Sequence, residues 1–164
     1  MNTIIVYASK YGCTETCAKH LEASLTGPVT LVNINKTNMK AGALDKYDTV
    51  ILGSSIYIGS VAGKIRAFCK ENMDALCRKK VGIFMCSGFP EQADEYAAKN
   101  FPPALLKHAV SVKSFGGEAR LDKMKAVDKL IMKVVTKGDY GSLQISHENI
   151  KNFIQEINGQ ACQC

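Results

Sequence analysis

A near-continuous apolar run, Ile4-Ile5-Val6-Tyr7-Ala8, passes directly into a polar loop and then into a helical pattern. The run has the length and composition of a buried strand. The loop is Ser9-Lys10-Tyr11-Gly12-Cys13-Thr14, and beyond it Cys17, Ala18, Leu21 and Leu25 fall on one helical face. The N–H groups in the first turn of a helix have no intrahelical partner, and the helix dipole there favours negative charge. A strand–loop–helix junction of this kind is therefore an anion site. Ser9 and Thr14 add hydroxyls, and Gly12 lets the backbone approach a ligand closely. With one glycine the loop is not GxGxxG, and with no GK[ST] it is not a P-loop. Hydroxyls and backbone amides suit a phosphate monoester held without metal.

The junction recurs along the chain. Residues 29–34 read as a second strand, 48–54 as a third, 80–86 as a fourth and 110–115 as a fifth. Between them, Val61, Ile65, Phe68, Cys69 and Met73 mark a second helix, and 91–100 a further one. A short helical turn is expected around 41–44. Ser146 is a good N-cap for a last helix with Ile150, Phe153, Ile154 and Ile157 as its apolar stripe, stopped by Gly159. Alternating strands and helices imply an α/β chain with a parallel, doubly wound sheet, and 2-1-3-4-5 is the leading strand order. Ligands in such sheets lie beyond the carboxyl ends of the strands, here at loops 9–14, 54–60 and 86–91. All three carry Ser or Gly at the strand exit. A receiver domain is excluded, because Ala8-Ser9 and Ser54-Ser55 stand where its acidic residues would be.

With 164 residues and 46% hydrophobic content, the chain is expected to form one domain, 1–164. No run of 18 apolar residues exists and the N-terminus is already strand-like, so a cytoplasmic protein is expected. The seven cysteines are read mostly as reduced, small apolar residues. Cys13 and Cys17 sit one helical turn apart, but no CxxC or ligand-spaced His pair is present, so no metal site is expected. A net charge of +6 favours acidic proteins or anionic lipid as partners. Nucleic acid is not expected, for want of an aromatic-studded basic platform.

Residues Ser9-Lys10-Tyr11-Gly12-Cys13-Thr14 resemble the phosphate loop of flavodoxins, [ST]-x-[STY]-G-x-T, which grips the 5′-phosphate of FMN. The resemblance implies a flavodoxin-like three-layer sandwich with FMN as cofactor. It assigns Ser54, Ser55, Ile56, Tyr57, Ile58 and Gly59, with Ser87, Gly88 and Phe89, to the two loops around the isoalloxazine ring. Tyr57 is the aromatic expected against the ring and Phe89 a second candidate, while Ile58-Gly59 is placed to offer a backbone group to flavin N5. The charge departs from the family, whose ordinary members are strongly acidic.

Residues 121–137 form a basic helical insertion between the last strand and last helix. Met124, Val127, Ile131, Val134 and Val135 read as one apolar face, and Lys125, Lys129, Lys133 and Lys137 recur on the other. The insertion, and Gly53-Ser54-Ser55-Ile56-Tyr57-Ile58-Gly59 against G-[AS]-S-I-x-x-G, are similar to the menaquinone-dependent protoporphyrinogen oxidase branch. The resemblance thus implies either FMN-dependent electron transfer between redox proteins or an oxidoreductase passing electrons to a quinone. The expected role of the insertion is a structural edge, with approach to a membrane surface, a quinone site or an acidic redox partner as the alternative. No catalytic side-chain set is readable, as expected where a cofactor carries the chemistry. Oligomeric state is not legible.

Overall fold

Ile4, Val6 and Ala8 point to one side of the first strand and Ile5 and Tyr7 to the other, and both sides are buried. A strand covered on both faces belongs at the centre of a parallel sheet. That is its position in the computed structural model, which describes residues 1–40, 42–118, 120–138 and 143–159. The strands are β1 (Thr3–Ala8), β2 (Val29–Asn33), β3 (Thr49–Ser55), β4 (Lys80–Cys86) and β5 (Ser111–Ser114). All pairings are parallel, in the order β2-β1-β3-β4-β5.

Helices α1 (Cys13–Ser24) and α7 (His147–Asn158) cover one face. Leu21 and Phe153 pack there against Ile5, Tyr7 and Phe84. The other face carries α2 (Gly63–Glu71), α3 (Met73–Leu76), α4 (Ala93–Asn100) and α5 (Pro103–His108), with Ile65, Phe68, Leu76, Tyr96 and Leu105 buried. The expected helix from residue 91 starts as a 3-10 turn, Pro90–Gln92, because proline fixes the entry before α4 takes over. At α7 the Ser146 side chain accepts from the Asn149 N–H at 3.2 Å, and Gly159 closes the helix in the left-handed region, φ 74. The turn expected at 41–44 falls partly outside the described residues; 42–46 form turns.

The insertion leaves and re-enters the sheet through one backbone clasp. Gly116 pairs antiparallel with Ile145, Ser146 N–H donates to the Phe115 carbonyl at 2.9 Å, and Gly117 N–H donates to Gln144 O at 3.2 Å. Gly116 has φ 73, and a Cβ there would lie 2.1 Å from Gln144 O, so no other residue fits without moving the clasp. The helix of the insertion, α6, runs Ala126–Val135.

Its orientation differs from the sequence expectation. Val127, Leu130 and Val134 are 69%, 64% and 70% exposed, whereas Asp128 is buried. The carboxylate is the cause. Asp128 pairs with Lys10 at 2.8 Å and accepts from the Tyr57 hydroxyl, which turns the helix so that its acidic residue faces the first and second loops and part of its apolar face looks outward.

Gly53 in β3 is required for space. A Cβ there would fall 2.3 Å from the ring of Phe84, which stacks on Phe115 at 4.7 Å and meets Phe153 edge-on at 6.3 Å. Gly53→Ala should overpack this cluster and cost about 1–3 kcal/mol. Urea unfolding should show a lower midpoint with an unchanged m-value.

Candidate functional site

The exit of β1 forms the loop foreseen in the sequence. Gly12 takes φ 95 and serves as the N-cap of α1 with no side-chain cap, leaving first-turn N–H groups turned outward. Ser9 Oγ accepts from Gly12 N–H at 3.1 Å and from Glu15 N–H at 3.4 Å, so this hydroxyl fixes the loop's shape and keeps its own proton to donate. Thr14 is wholly buried, and its hydroxyl and that of Tyr11 have no hydrogen-bond partner among the described residues. A buried hydroxyl without a partner is costly unless a ligand completes it.

The loop is also approached by cations. Arg120 donates to Thr16 Oγ1 at 3.0 Å and pairs with Glu118 at 3.0 Å. Its guanidinium lies beside Gly12, 2.9 Å from where a Cβ would be, and the Lys123 ammonium is 4.0 Å from the same point. With the free end of α1, this gives an anion cradle of amides, hydroxyl and guanidinium.

Next to the cradle is a cavity of about 100 Å³. Ser9, Lys10, Tyr11, Cys13 and Thr14 line it from the first loop, Ser55, Ile56 and Tyr57 from the second, and Ser87 and Gly88 from the third. Met124 and Met132 reach in from the insertion. Lys10 Nζ sits 3.8 Å above the Tyr57 ring while paired to Asp128, so one face of Tyr57 already holds a cation.

Four residues assigned to the ring loops do other work. Ser54 Oγ donates to Ser55 O and accepts from Ala62 N–H, both at 3.0 Å, steering the chain into α2. Phe89 packs against the core on the α4 face and does not line the cavity. Ile58 and Gly59 form the tip of a two-residue turn, φ 48 and 70, closed by Tyr57 and Ser60. The Gly59 carbonyl is taken by Asn100 Nδ2 at 3.0 Å, and neither Ile58 nor Gly59 lines the cavity.

Below the first loop lies a feature that sequence spacing did not reveal. The sulfurs of Cys13, Cys17 and Cys86 all lie within 4.8 Å of one another. Cys86 stands 69 positions from Cys17 and is brought there by the exit of β4. Hydrogen bonds from the Cys17 and Cys86 thiols pull the Cys13 thiol down to about 3, helped by the Glu118 N–H and the charge of Arg120. Cys17, which donates to Cys13, is pushed up to about 12, and Cys86 is raised as well. One thiolate is thus held by two thiols. Asn100, Arg120 and Asp128 were likewise missed as site residues; for Asp128 the available signal was an acid inside a lysine-rich helix. Cys162 and Cys164 lie outside the described residues.

Residues 4–146 match the family described as flavodoxin domain. No protein of curated function matches the chain. Among solved structures, the two-electron reduced flavodoxin of Megasphaera elsdenii is 22% identical over 68% of this chain and 84% of its own, with a TM-score of 0.55. Oxidised flavodoxin 1 of Bacillus cereus is 16% identical, covering 96% of this chain and 97% of its own, with a TM-score of 0.54. The flavodiiron core of Flv1 from Synechocystis is 22% identical over 70% of this chain, which spans only 28% of that protein, with a TM-score of 0.55. At these identities the likeness is one of fold.

The thiol triad makes a testable difference in reactivity. Cys13 is partly exposed and its thiol is depressed far below the ordinary range, so it remains a thiolate as pH falls through 8 to 5. Iodoacetamide labelling at Cys13, followed by peptide mapping, should change little over that interval. A free small-molecule thiol of pKa about 8.5 should slow about tenfold per pH unit.

Proposed function

Because this chain belongs to the flavodoxin domain family, we propose that it binds FMN and transfers electrons through it. The observation that carries the reading is the wholly buried, unpartnered hydroxyl of Thr14 at the open N-terminus of α1, with the Arg120 guanidinium alongside. A phosphate dianion in the cradle would accept from that hydroxyl, from the first-turn amides and from Arg120. Tyr57, with Ser55, Ser87 and Gly88, would border the ring. Lys10 and Asp128 would fix Tyr57, since one pairs with its face and the other with its hydroxyl. When bound, FMN supplies one- and two-electron redox chemistry. The protein's part is to hold the phosphate, orient the ring and keep water from it.

A second reading concerns the acceptor. On α6 the exposed residues Val127, Leu130 and Val134 adjoin the stripe of Lys125, Lys129, Lys133 and Lys137, all exposed. An apolar strip beside a cationic one suits the interface of an anionic membrane. Such contact suits the alternative reading, an oxidoreductase of the protoporphyrinogen oxidase type that delivers electrons to a membrane quinone, beside that of a carrier between soluble redox proteins. Among the described residues, no helix is long and apolar enough to cross a membrane, so any contact through α6 would be peripheral.

The purified protein should be yellow and release FMN on denaturation. Thr14→Ala should weaken FMN binding about tenfold to 150-fold, the worth of a hydrogen bond to a charged group, and leave riboflavin binding unchanged because riboflavin lacks the phosphate. Equal affinity for FMN in variant and parent would remove the phosphate from this loop.

Replacing the four lysines of the stripe with Gln tests the acceptor. Each lysine contributes about 1 kcal/mol near an anionic surface. The variant should keep its FMN affinity but lose salt-sensitive sedimentation with anionic liposomes. A parent protein that never sediments would favour the soluble carrier.

A further inference from the structure

We propose that Cys13, Cys17 and Cys86 form a binding site for a soft, thiophilic metal ion, held by three thiolates beneath the phosphate loop. The site shares Cys13 and Cys86 with the lining of the cavity, but its ligand set is sulfur alone and does not rest on the flavin reading.

Geometry supplies the first argument. A metal–sulfur bond of about 2.3 Å puts neighbouring sulfurs about 3.8 Å apart in a tetrahedral site and about 4.0 Å apart in a trigonal one. The Cys17 and Cys86 sulfurs are 3.8 Å apart, and no pair of the three exceeds 4.8 Å. Ligand closure therefore needs only small side-chain adjustments, with all three sulfurs on rigid elements: the first and second turns of α1, and the end of β4. Among the described residues this is the one group of three or more ligand-forming side chains with such mutual spacing.

Charge and donor chemistry narrow the occupant. Three sulfurs and no carboxylate or imidazole select soft ions such as Zn(II) or Cu(I) over Mg(II) or Ca(II). An iron–sulfur cluster would call for four protein ligands. With a divalent ion the assembly carries one negative charge, which the N-terminus of α1 and Arg120 face directly; a monovalent ion would leave two. Cys17 is buried away from the cavity, whereas half-buried Cys13 and buried Cys86 both border it. Three protein ligands with one open side is the arrangement that leaves a fourth position for water or another small donor. Binding displaces the protons still on the sulfurs and transfers no electrons.

The test is an anaerobic titration of the reduced protein with Zn(II) against a competing chelator, and with Co(II) as a spectroscopic stand-in. It should be run in a Cys162→Ser, Cys164→Ser background so that the C-terminal thiols cannot contribute. The expected result is one tightly bound ion per chain, with a thiolate-to-cobalt charge-transfer band. Cys13→Ser, at the partly exposed position, should lower affinity by more than about 100-fold, since even outer partners of a metal site cost ten- to hundredfold. Cys17→Ser and Cys86→Ser should do the same, while Cys69→Ser and Cys77→Ser should not. Stronger retention of Cu(I) than of Zn(II), lost in the same three variants, would support the site and identify the ion. Absence of uptake, uptake unchanged by Cys13→Ser, or a native Cys17–Cys86 disulfide found by mass spectrometry with no metal bound would overturn it.

Discussion

Burial of β1 on both faces is the constraint from which the site follows. A strand covered by α1 on one side and α2 on the other must lie inside the sheet, with β2 and β3 as neighbours. The order of strand addition then reverses at β1, with β2 added on one side and β3 on the other, and the connections diverge to leave a crevice at the carboxyl ends of the strands. The loop that leaves β1 has to turn at Gly12 and start α1 immediately, so its amides point into the crevice. The anion cradle is thus a by-product of covering the sheet, and the side chains of Ser9, Thr14 and Arg120 refine it.

The second organising contact is a buried carboxylate. Asp128 has to be paired, because an unpartnered charge in a protein interior is prohibitively costly. Lys10 and Tyr57 provide the pairing, and in doing so join the first loop, the second loop and the insertion. One residue therefore sets both the inward face of α6 and the posture of Tyr57. It also explains why apolar residues are left on the outside of the helix: a helix has one inward face, and here a charge claims part of it.

What the sequence disclosed follows the range of the interactions. The sheet and its order were readable because central strands are continuous apolar runs, and Ser146 and Gly159 mark the ends of α7 by local rules. The strand–loop–helix junction was readable for the same reason: Ser9 to Thr14 act within a few residues of one another. Arg120 reaches the Gly12 loop, and Asp128 reaches Tyr57, across long stretches of chain, and no periodicity encodes such a meeting. The orientation of α6 was misjudged because apolar spacing was weighted above a single buried carboxylate. The cysteine triad was hidden because Cys86 arrives from another strand, so spacing along the chain excluded a metal site that proximity in space allows. Short α3 and α5 lack enough turns to show a helical period.

The clasp at Gly116 and Ile145 has a consequence for how such a chain can be rearranged. Everything between Gly117 and Gln144 departs from and returns to nearly the same point, fastened by backbone bonds that belong to the sheet side of the junction. The segment is topologically a detachable cassette. A short turn could bridge its base without changing strand order, and closing a shorter loop lowers the entropic cost of ordering it. A lineage carrying this domain can therefore exchange the cover over its crevice, lysine stripe included, while retaining the strand–loop–helix cradle below.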